Sequence, residues 1–79
     1  MGFDEKSERK MFAKKFAEHL KKMRYAQNMS AAQLGKAINM ERSHIARLEK
    51  EDSVPSLFLI KKISDSFNLS ISEFLKEFE

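Results

Sequence analysis

The side chains best suited to recognising another molecule lie close together in this sequence, at Arg42, Ser43, His44 and Arg47. A guanidinium group presents a planar fork of N–H donors that matches the O6 and N7 acceptors of guanine. The side chains of Ser43 and His44 are shorter and can adapt as donors or acceptors. This combination favours contact with the bases of a nucleic acid.

The same residues do not form a catalytic or metal-binding set. Ser43 and His44 with Asp52 have the residue types of a hydrolytic triad, but adjacent residues of a helix do not face each other. The sequence contains no cysteine, so disulfides and thiolate chemistry are excluded. His19 and His44 have no further ligands at a metal-binding spacing. We therefore predict no enzymatic activity, no metal site and no cofactor.

The positive charge of the chain is concentrated in its middle. The net charge is +3, but residues 9–50 carry eleven basic residues against three acidic ones, while residues 1–8 and 51–79 are each net acidic. A polyanion is the natural partner of such a segment, although a solvated helix surface explains the charge equally well. The same two interpretations apply to a basic series in the first predicted helix: Lys14, Lys15, Lys21, Lys22 and Arg24.

The spacing of apolar residues predicts helices throughout. Phe12, Phe16, Leu20 and Met23 recur at steps of three and four, which is one stripe of an amphipathic helix. No segment alternates as a strand does, and no Gly-rich turn pair is present. We therefore predict an all-α fold with five helices, at residues 7–27, 31–38, 42–50, 57–67 and from 71 to 75 or 78.

Polar residues at the expected places start and stop these helices. Ser30 with Gln33 and Ser70 with Glu73 have the form of capping boxes, and Ser56 can cap the fourth helix. The predicted ends fall at asparagines, the non-glycine residues that best tolerate a positive φ: Asn28, Asn39 and Asn68. Residues 51–55, which include the only proline in the sequence, are predicted to form a linker.

The second and third helices have the pattern of a helix-turn-helix unit. Small and branched residues are expected to pack between them, namely Leu34, Ala37, Ile38, Ile45 and Leu48. The leading face of the third helix would then carry Arg42, Ser43, Ala46 and Arg47 into a DNA major groove. We predict that these four residues contact bases, with Ala46 approaching a thymine methyl group. Phosphate contacts are predicted for Ser30, Gln33, Lys36, His44 and Lys50.

The run SAAQLGKAINMERSHIARLE at residues 30–49, followed by Pro55-Ser-Leu and Leu69-Ser-Ile-Ser-Glu-Phe-Leu75, resembles the phage repressor and Cro-like helix-turn-helix family. The resemblance covers about residues 16–75. It implies a compact five-helix repressor-like bundle, an acidic family position at Glu49, and base contacts from the third helix. The run NMERSHI at residues 39–45, together with the length of 79 residues, is most similar to the controller-protein subset.

Four positions depart from the pattern of the resembled family. Gly35 stands where the family usually has alanine, which lowers helix propensity by about 1 kcal/mol but allows a close helix approach. Asn39 replaces the usual turn glycine. Ala31 stands where many members have a glutamine that contacts the phosphate backbone, and Glu51 replaces a common glycine.

The fourth and fifth helices carry more large apolar residues than one stripe can bury. If Leu57, Ile60, Ile63 and Phe67 face inward, Phe58 lies at the edge of that stripe or outside it. The apolar side chains that this stripe leaves outside the core predict a homodimer interface. Its three predicted members are Phe58, Leu59 and Phe78.

The length of 79 residues predicts one domain, with residues 1–6 as a flexible N-terminal arm. We expect a cytoplasmic, sequence-specific DNA-binding transcriptional regulator that acts as a homodimer on a palindromic operator in double-stranded DNA, with no membrane association. An antitoxin-type or other protein-interaction module, whose main partner is another protein, is the alternative. A nonspecific architectural nucleic-acid binder is a third possibility.

Overall fold

A computed structural model describes residues 4–50 and 53–78 of the chain as five helices. These are α1 (Glu5–Ala26), α2 (Ala31–Ile38), α3 (Arg42–Leu48), α4 (Leu57–Ser66) and α5 (Ile71–Phe74). The described residues include no strand, and the predicted all-α fold with five helices is confirmed. The linker predicted at residues 51–55 is non-helical over residues 53–55, and its first two residues lie outside the described ranges.

Side-chain caps begin the helices at four of the five N-termini. Ser30, Ser56 and Ser70 accept hydrogen bonds from the third residue of their helices, and both predicted capping boxes are present. The Ser70 backbone N–H, donating to Glu73, lowers the pKa of that carboxyl group. The ends predicted at Asn28, Asn39 and Asn68 are confirmed, because all three adopt a positive φ of 55–59°.

The first helix begins two residues earlier than the sequence pattern indicates. Asp4 accepts hydrogen bonds from the backbone N–H and the hydroxyl group of Ser7, and these bonds lower the pKa of the Asp4 carboxyl group. Residues 4–6 of the predicted flexible arm therefore belong to α1 and its cap, and residues 1–3 lie outside the described residues.

The third and fifth helices end earlier than predicted. Glu49 and Lys50 continue α3 only as a turn, in which the N–H of Lys50 donates to the carbonyl of Arg47. Beyond α5, the N–H of Phe78 donates to the carbonyl of Leu75 in the same kind of tight turn. Such tightened last turns satisfy backbone groups without extending an α-helix.

A single cluster of buried apolar side chains joins the helices. Its members are Phe16, Leu20, Leu34, Ile38, Ile45, Leu48, Ile60, Ile63, Phe67 and Phe74. Leu34, Ile38, Ile45 and Leu48 occupy the predicted contact between α2 and α3. Ala37, predicted to lie there, is exposed.

Two of the predicted apolar stripes are exposed at their first residue, while most of their other members are buried as predicted. On α1 the buried residues include Ala13 and Ala17, whereas Phe12 lies at the edge and is 39% exposed. On α4 the prediction that Leu57 is buried is wrong, because its side chain is 70% exposed and Leu59 packs against the core instead. Leu57 is the first residue of α4, and periodicity alone overestimates burial at the end of a helix.

An aromatic cluster holds α1 against α5. The Phe74 ring meets the rings of Phe16 and Phe67 at centroid distances of 6.3 and 5.8 Å. His19 is buried beside Phe74, and its Nε2 is within hydrogen-bonding distance of the Phe74 carbonyl oxygen. His19 is therefore a structural residue of the core.

The buried Gly35 allows the turn after α2 to approach that helix closely. A Cβ atom at this position would lie 2.5 Å from the carbonyl oxygen of Met40, which belongs to the backbone. The Met40 N–H also donates to the Gly35 carbonyl at 2.7 Å. The glycine at this departure from the family pattern thus permits the tight path from α2 into α3.

We expect Gly35→Ala to lower the free energy of unfolding by up to about 2 kcal/mol. The clash with a backbone atom destabilises the fold by about 1–3 kcal/mol, and the better helix propensity of alanine offsets about 1 kcal/mol of this loss. Urea unfolding followed by circular dichroism measures the change. The control is Ala37→Gly at an exposed position of the same helix, where propensity alone should cost about 1 kcal/mol. A stabilised Gly35→Ala variant would contradict the need for this close approach.

Within the described ranges, no helix is both long and apolar enough to span a bilayer.

Candidate nucleic-acid interface

The exposed face of α3 carries most of the predicted contact residues. Arg42, Ser43, His44 and Arg47 are exposed, and Ala46 is half-buried among them. Ile45 and Leu48, on the opposite side of α3, are buried in the core. Arg42, Ser43 and Arg47 are therefore held on a helix whose other face is fixed by packing.

The second helix packs against α3, and its start adds further hydrogen-bonding groups. The Ser30 Oγ accepts from the Gln33 N–H at 3.0 Å, and the Gln33 Oε1 accepts from the Ser30 N–H at 2.7 Å. The hydroxyl hydrogen of Ser30 and the amide NH₂ of Gln33 stay available as donors, because the capping box uses only the oxygen atoms of these side chains. Lys36 is exposed one turn further along α2, and Lys50 is exposed after the end of α3.

A groove of about 250 Å³ runs between α3 and the segment that leads into α4. Two predicted contact residues, His44 and Arg47, line this groove together with Ser53. The remaining lining residues are Met40, Leu48 and Leu59. One side of α3 is thus bordered by a concave, partly polar surface.

A buried ion pair anchors the end of α3 to α1. The Arg24 Nε and Nη2 donate to the two carboxylate oxygens of Glu49 at 2.8 and 2.9 Å, and its Nη1 donates to the Met29 carbonyl at 2.7 Å. Both side chains of the pair are only 8% exposed. The hydrogen bonds to Glu49 raise the pKa of Arg24 above its ordinary value, so the guanidinium stays protonated. The pair fixes the orientation of α3 relative to α1 through two parallel charge-assisted bonds.

The interpretation of Arg24 as part of a basic surface with the lysines of α1 is wrong. The Arg24 side chain points into the fold, and the Tyr25 ring covers its guanidinium at 4.8 Å. Helical periodicity could not reveal this role, because arginine is normally assigned to the solvated face. The resemblance identified Glu49 as an acidic family position. That position was the sequence signal that could have prompted a search for a basic residue paired with it.

The lysines of α1 remain on the surface, as their spacing predicts. Lys14, Lys15, Lys21 and Lys22 are all exposed. Lys22 donates to Glu77 at 3.1 Å, and this bond lowers the pKa of the Glu77 carboxyl group. Both side chains of that pair are about 70% exposed, so the pair contributes little to stability.

The residues predicted for a dimer interface have different environments. Phe58 is 73% exposed, with the Lys62 ammonium 5.6 Å from its ring centroid. Leu59 is half-buried against the core. Phe78 is also half-buried, with its ring 5.4 Å from the Phe12 ring, measured between centroids. Leu57, which the pattern assigned to the interior, is the exposed neighbour of Phe58.

Two short helices around a tight turn, with a basic exposed face on the second, define a helix-turn-helix protein. The sequence model of the helix-turn-helix family HTH_3 matches residues 20–74, and the chain belongs to this family. No curated protein matches this chain at a significant level.

A solved structure supports the same fold. The chain is similar to the HTH_3 family transcriptional regulator from Vibrio cholerae, with a TM-score of 0.78 and 22% sequence identity. The similarity covers 86% of this chain but 38% of that one, so this chain spans well under half the length of the regulator.

Proposed function

We propose that this protein is a sequence-specific DNA-binding transcriptional regulator. The observation that carries the proposal is the rigid presentation of Arg42, Ser43 and Arg47 on the exposed face of α3. That face is supported from behind by the apolar core and at its end by the Arg24–Glu49 ion pair. A helix held in this way fits a major groove about 12 Å wide. The Vibrio cholerae protein of similar fold is named as a transcriptional regulator, which agrees with this function.

The proposed contacts divide into two groups by their position. Residues 42, 43, 46 and 47 share the leading face of α3 and are assigned to base edges. Groups at the margins of this surface are assigned to phosphates, which position a protein without reading sequence. These are Ser30, Gln33, Lys36, His44 and Lys50. The DNA backbone would lie along the groove beside His44 and Ser53.

A selection experiment tests the proposed function directly. The purified protein is mixed with a pool of random duplexes, and the bound fraction is sequenced after several rounds. A palindromic consensus with half-site centres about one helical turn apart supports a dimeric regulator. Enrichment without any consensus, together with equal affinity for scrambled duplexes across salt concentrations, would instead identify a nonspecific binder.

The proposed functional unit is a homodimer formed through the exposed start of α4. Leu57 and Phe58 are both at least 70% exposed, and Val54, three residues before Leu57 in the chain, is 38% exposed. Adjacent exposed apolar side chains of this size are characteristic of a protein interface. A two-fold dimer would also match the symmetry of a palindromic operator.

We expect Phe58→Asp to convert the protein to a monomer at micromolar concentrations. A charge placed in a desolvated apolar contact is costly, whereas in the monomer it is solvated and lies beside Lys62. Sedimentation velocity measures the change, and circular dichroism should show an unchanged helix content. Lys61→Ala is the matched control on the same helix, since Lys61 is exposed and paired with Asp65 within its own chain. A native protein that stays monomeric at high concentration would contradict the dimer.

A further inference from the structure

An acidic side chain lies at the edge of the surface that is proposed to meet DNA. Glu41 is the residue directly before α3, and it is exposed. It is the only acidic residue in the stretch 30–48, which also carries Lys36, Arg42 and Arg47. A negative charge therefore stands beside the residues assigned to base and phosphate contacts.

The backbone of Glu41 is held in place, but its carboxylate is not used by the fold. The Glu41 carbonyl oxygen accepts hydrogen bonds from the N–H groups of His44 at 2.9 Å and Ile45 at 3.4 Å. The side chain makes no capping hydrogen bond, and no basic group in residues 4–50 or 53–78 lies within 4 Å of its carboxylate. Both carboxylate oxygens are thus free to accept hydrogen bonds from another molecule.

A free carboxylate at this place opposes the binding of DNA in general. The phosphates of a duplex repel it, whereas they attract the lysines and arginines around it. The repulsion is offset where the edge of a base supplies a hydrogen-bond donor to the carboxylate. Glu41 can therefore separate sequences by weakening the binding of those that lack such a donor.

Only two bases present a hydrogen-bond donor in the major groove. Cytosine presents its N4 amino group, and adenine presents its N6 amino group beside the N7 acceptor. Guanine and thymine present acceptors at that edge, and these repel a carboxylate. Because the adenine N7 also repels it, cytosine is the base that the side chain of Glu41 fits best.

The place of this base in the operator follows from the spacing of the chain. Consecutive Cα atoms are about 3.8 Å apart, and successive base pairs are about 3.4 Å apart along the duplex. Two consecutive residues that both reach base edges therefore fit adjacent base pairs. Arg42, which follows Glu41, carries the guanidinium fork that matches guanine.

We propose that Glu41 accepts a hydrogen bond from the N4 amino group of a cytosine in the operator. This cytosine belongs to the base pair next to the one whose guanine Arg42 contacts. The contact rests on the proposed function of α3 and adds the identity of one base to it. Its effect is on specificity, since the carboxylate rejects guanine and thymine at the same position.

The selection from random duplexes is run with the native protein, Glu41→Gln and Glu41→Ala. The native consensus should contain a G·C pair next to the pair that Arg42→Ala loosens. Glu41→Gln should place adenine where the cytosine stood, because a glutamine amide matches adenine N6 and N7, and Glu41→Ala should leave the position without preference. Circular dichroism checks that both variants keep the native helix content.

Titrations measure the same contact as a ratio of affinities. The native protein should bind its selected operator about tenfold more tightly than a duplex in which this C·G pair is replaced by T·A. Glu41→Ala should bind the two duplexes alike. Glu18→Ala, which removes an exposed acidic side chain of α1, is the matched control and should keep the full ratio.

Three results would overturn the cytosine contact, and they differ in what else they exclude. A native protein that selects no consensus would contradict the proposed function as well. A native consensus that both Glu41 variants reproduce unchanged would contradict the contact alone. If Glu41→Ala loosens only the guanine position that Arg42→Ala also loosens, Glu41 orients that arginine and does not read a base itself.

Discussion

Replacing Glu49 with alanine is expected to lower the free energy of unfolding by about 3–5 kcal/mol. The substitution leaves the Arg24 guanidinium buried without its carboxylate partner, and its remaining side-chain hydrogen bond goes to the Met29 carbonyl. An uncompensated buried charge is far more costly than a well-packed apolar replacement. Thermal and urea unfolding followed by circular dichroism provide the measurement. For a domain of this size, a loss in this range is a large part of the total stability.

Two matched variants separate the buried ion pair from charge in general. Glu77→Ala removes the carboxylate of the exposed Lys22–Glu77 pair and should change stability far less than Glu49→Ala. The double variant Arg24→Met/Glu49→Leu removes both buried charges together and should recover most of the lost stability. A Glu49→Ala variant no less stable than Glu77→Ala would show that the pair does not anchor α3.

Arg42→Ala and Arg47→Ala should each lower the affinity for the selected operator by about 1–3 kcal/mol and change binding to a scrambled duplex little. Both side chains project from the leading face of α3. The loss of a bidentate contact with guanine lowers the affinity only for a duplex that has guanine at that position. Titrations of both variants against the two duplexes at several salt concentrations measure the effect.

Lys21→Ala is the matched control for the two arginine variants. Lys21 is an exposed base on α1, next to the groove over Glu49 at the end of α3, and it can at most reach a phosphate. Its loss should weaken binding to both duplexes alike and lower the salt slope by about one unit. If the arginine variants lose the same affinity for the operator and for the scrambled duplex, α3 is not the element that reads sequence.

The existence of the helices was predictable because their signals are local. A serine that caps its own helix needs only the three residues after it, as at Ser30 and Ser70. An asparagine at positive φ ends a helix through its own backbone, as at Asn39. Helix boundaries were less predictable. Both Asp4 and Ser7 are suitable residues for the start of α1, and the structure shows that Asp4 caps the helix by accepting a hydrogen bond from the Ser7 N–H.

The burial of individual side chains was harder to predict, because it depends on what lies across from them. Leu57 has the right spacing for the core stripe of α4, yet its side chain is 70% exposed. Ala37 is likewise exposed to solvent, whereas the Met40 backbone in the turn after α2 packs against Gly35. In both cases the spacing identified the correct helix face, and the extent of the neighbouring elements decided which residues on it are buried.

The sequence by itself determined the number of helices, the three serine caps and the basic helix-turn-helix pattern, because these depend on contacts within a few residues. Only the tertiary structure decided that Arg24 belongs to the interior with Glu49. These residues are 25 positions apart, and the favourable ion pair exists only once α1 and α3 have packed. The same holds for Leu57 and Phe58, whose exposure follows from where packing ends, since an apolar side chain carries no local signal of whether another surface will cover it.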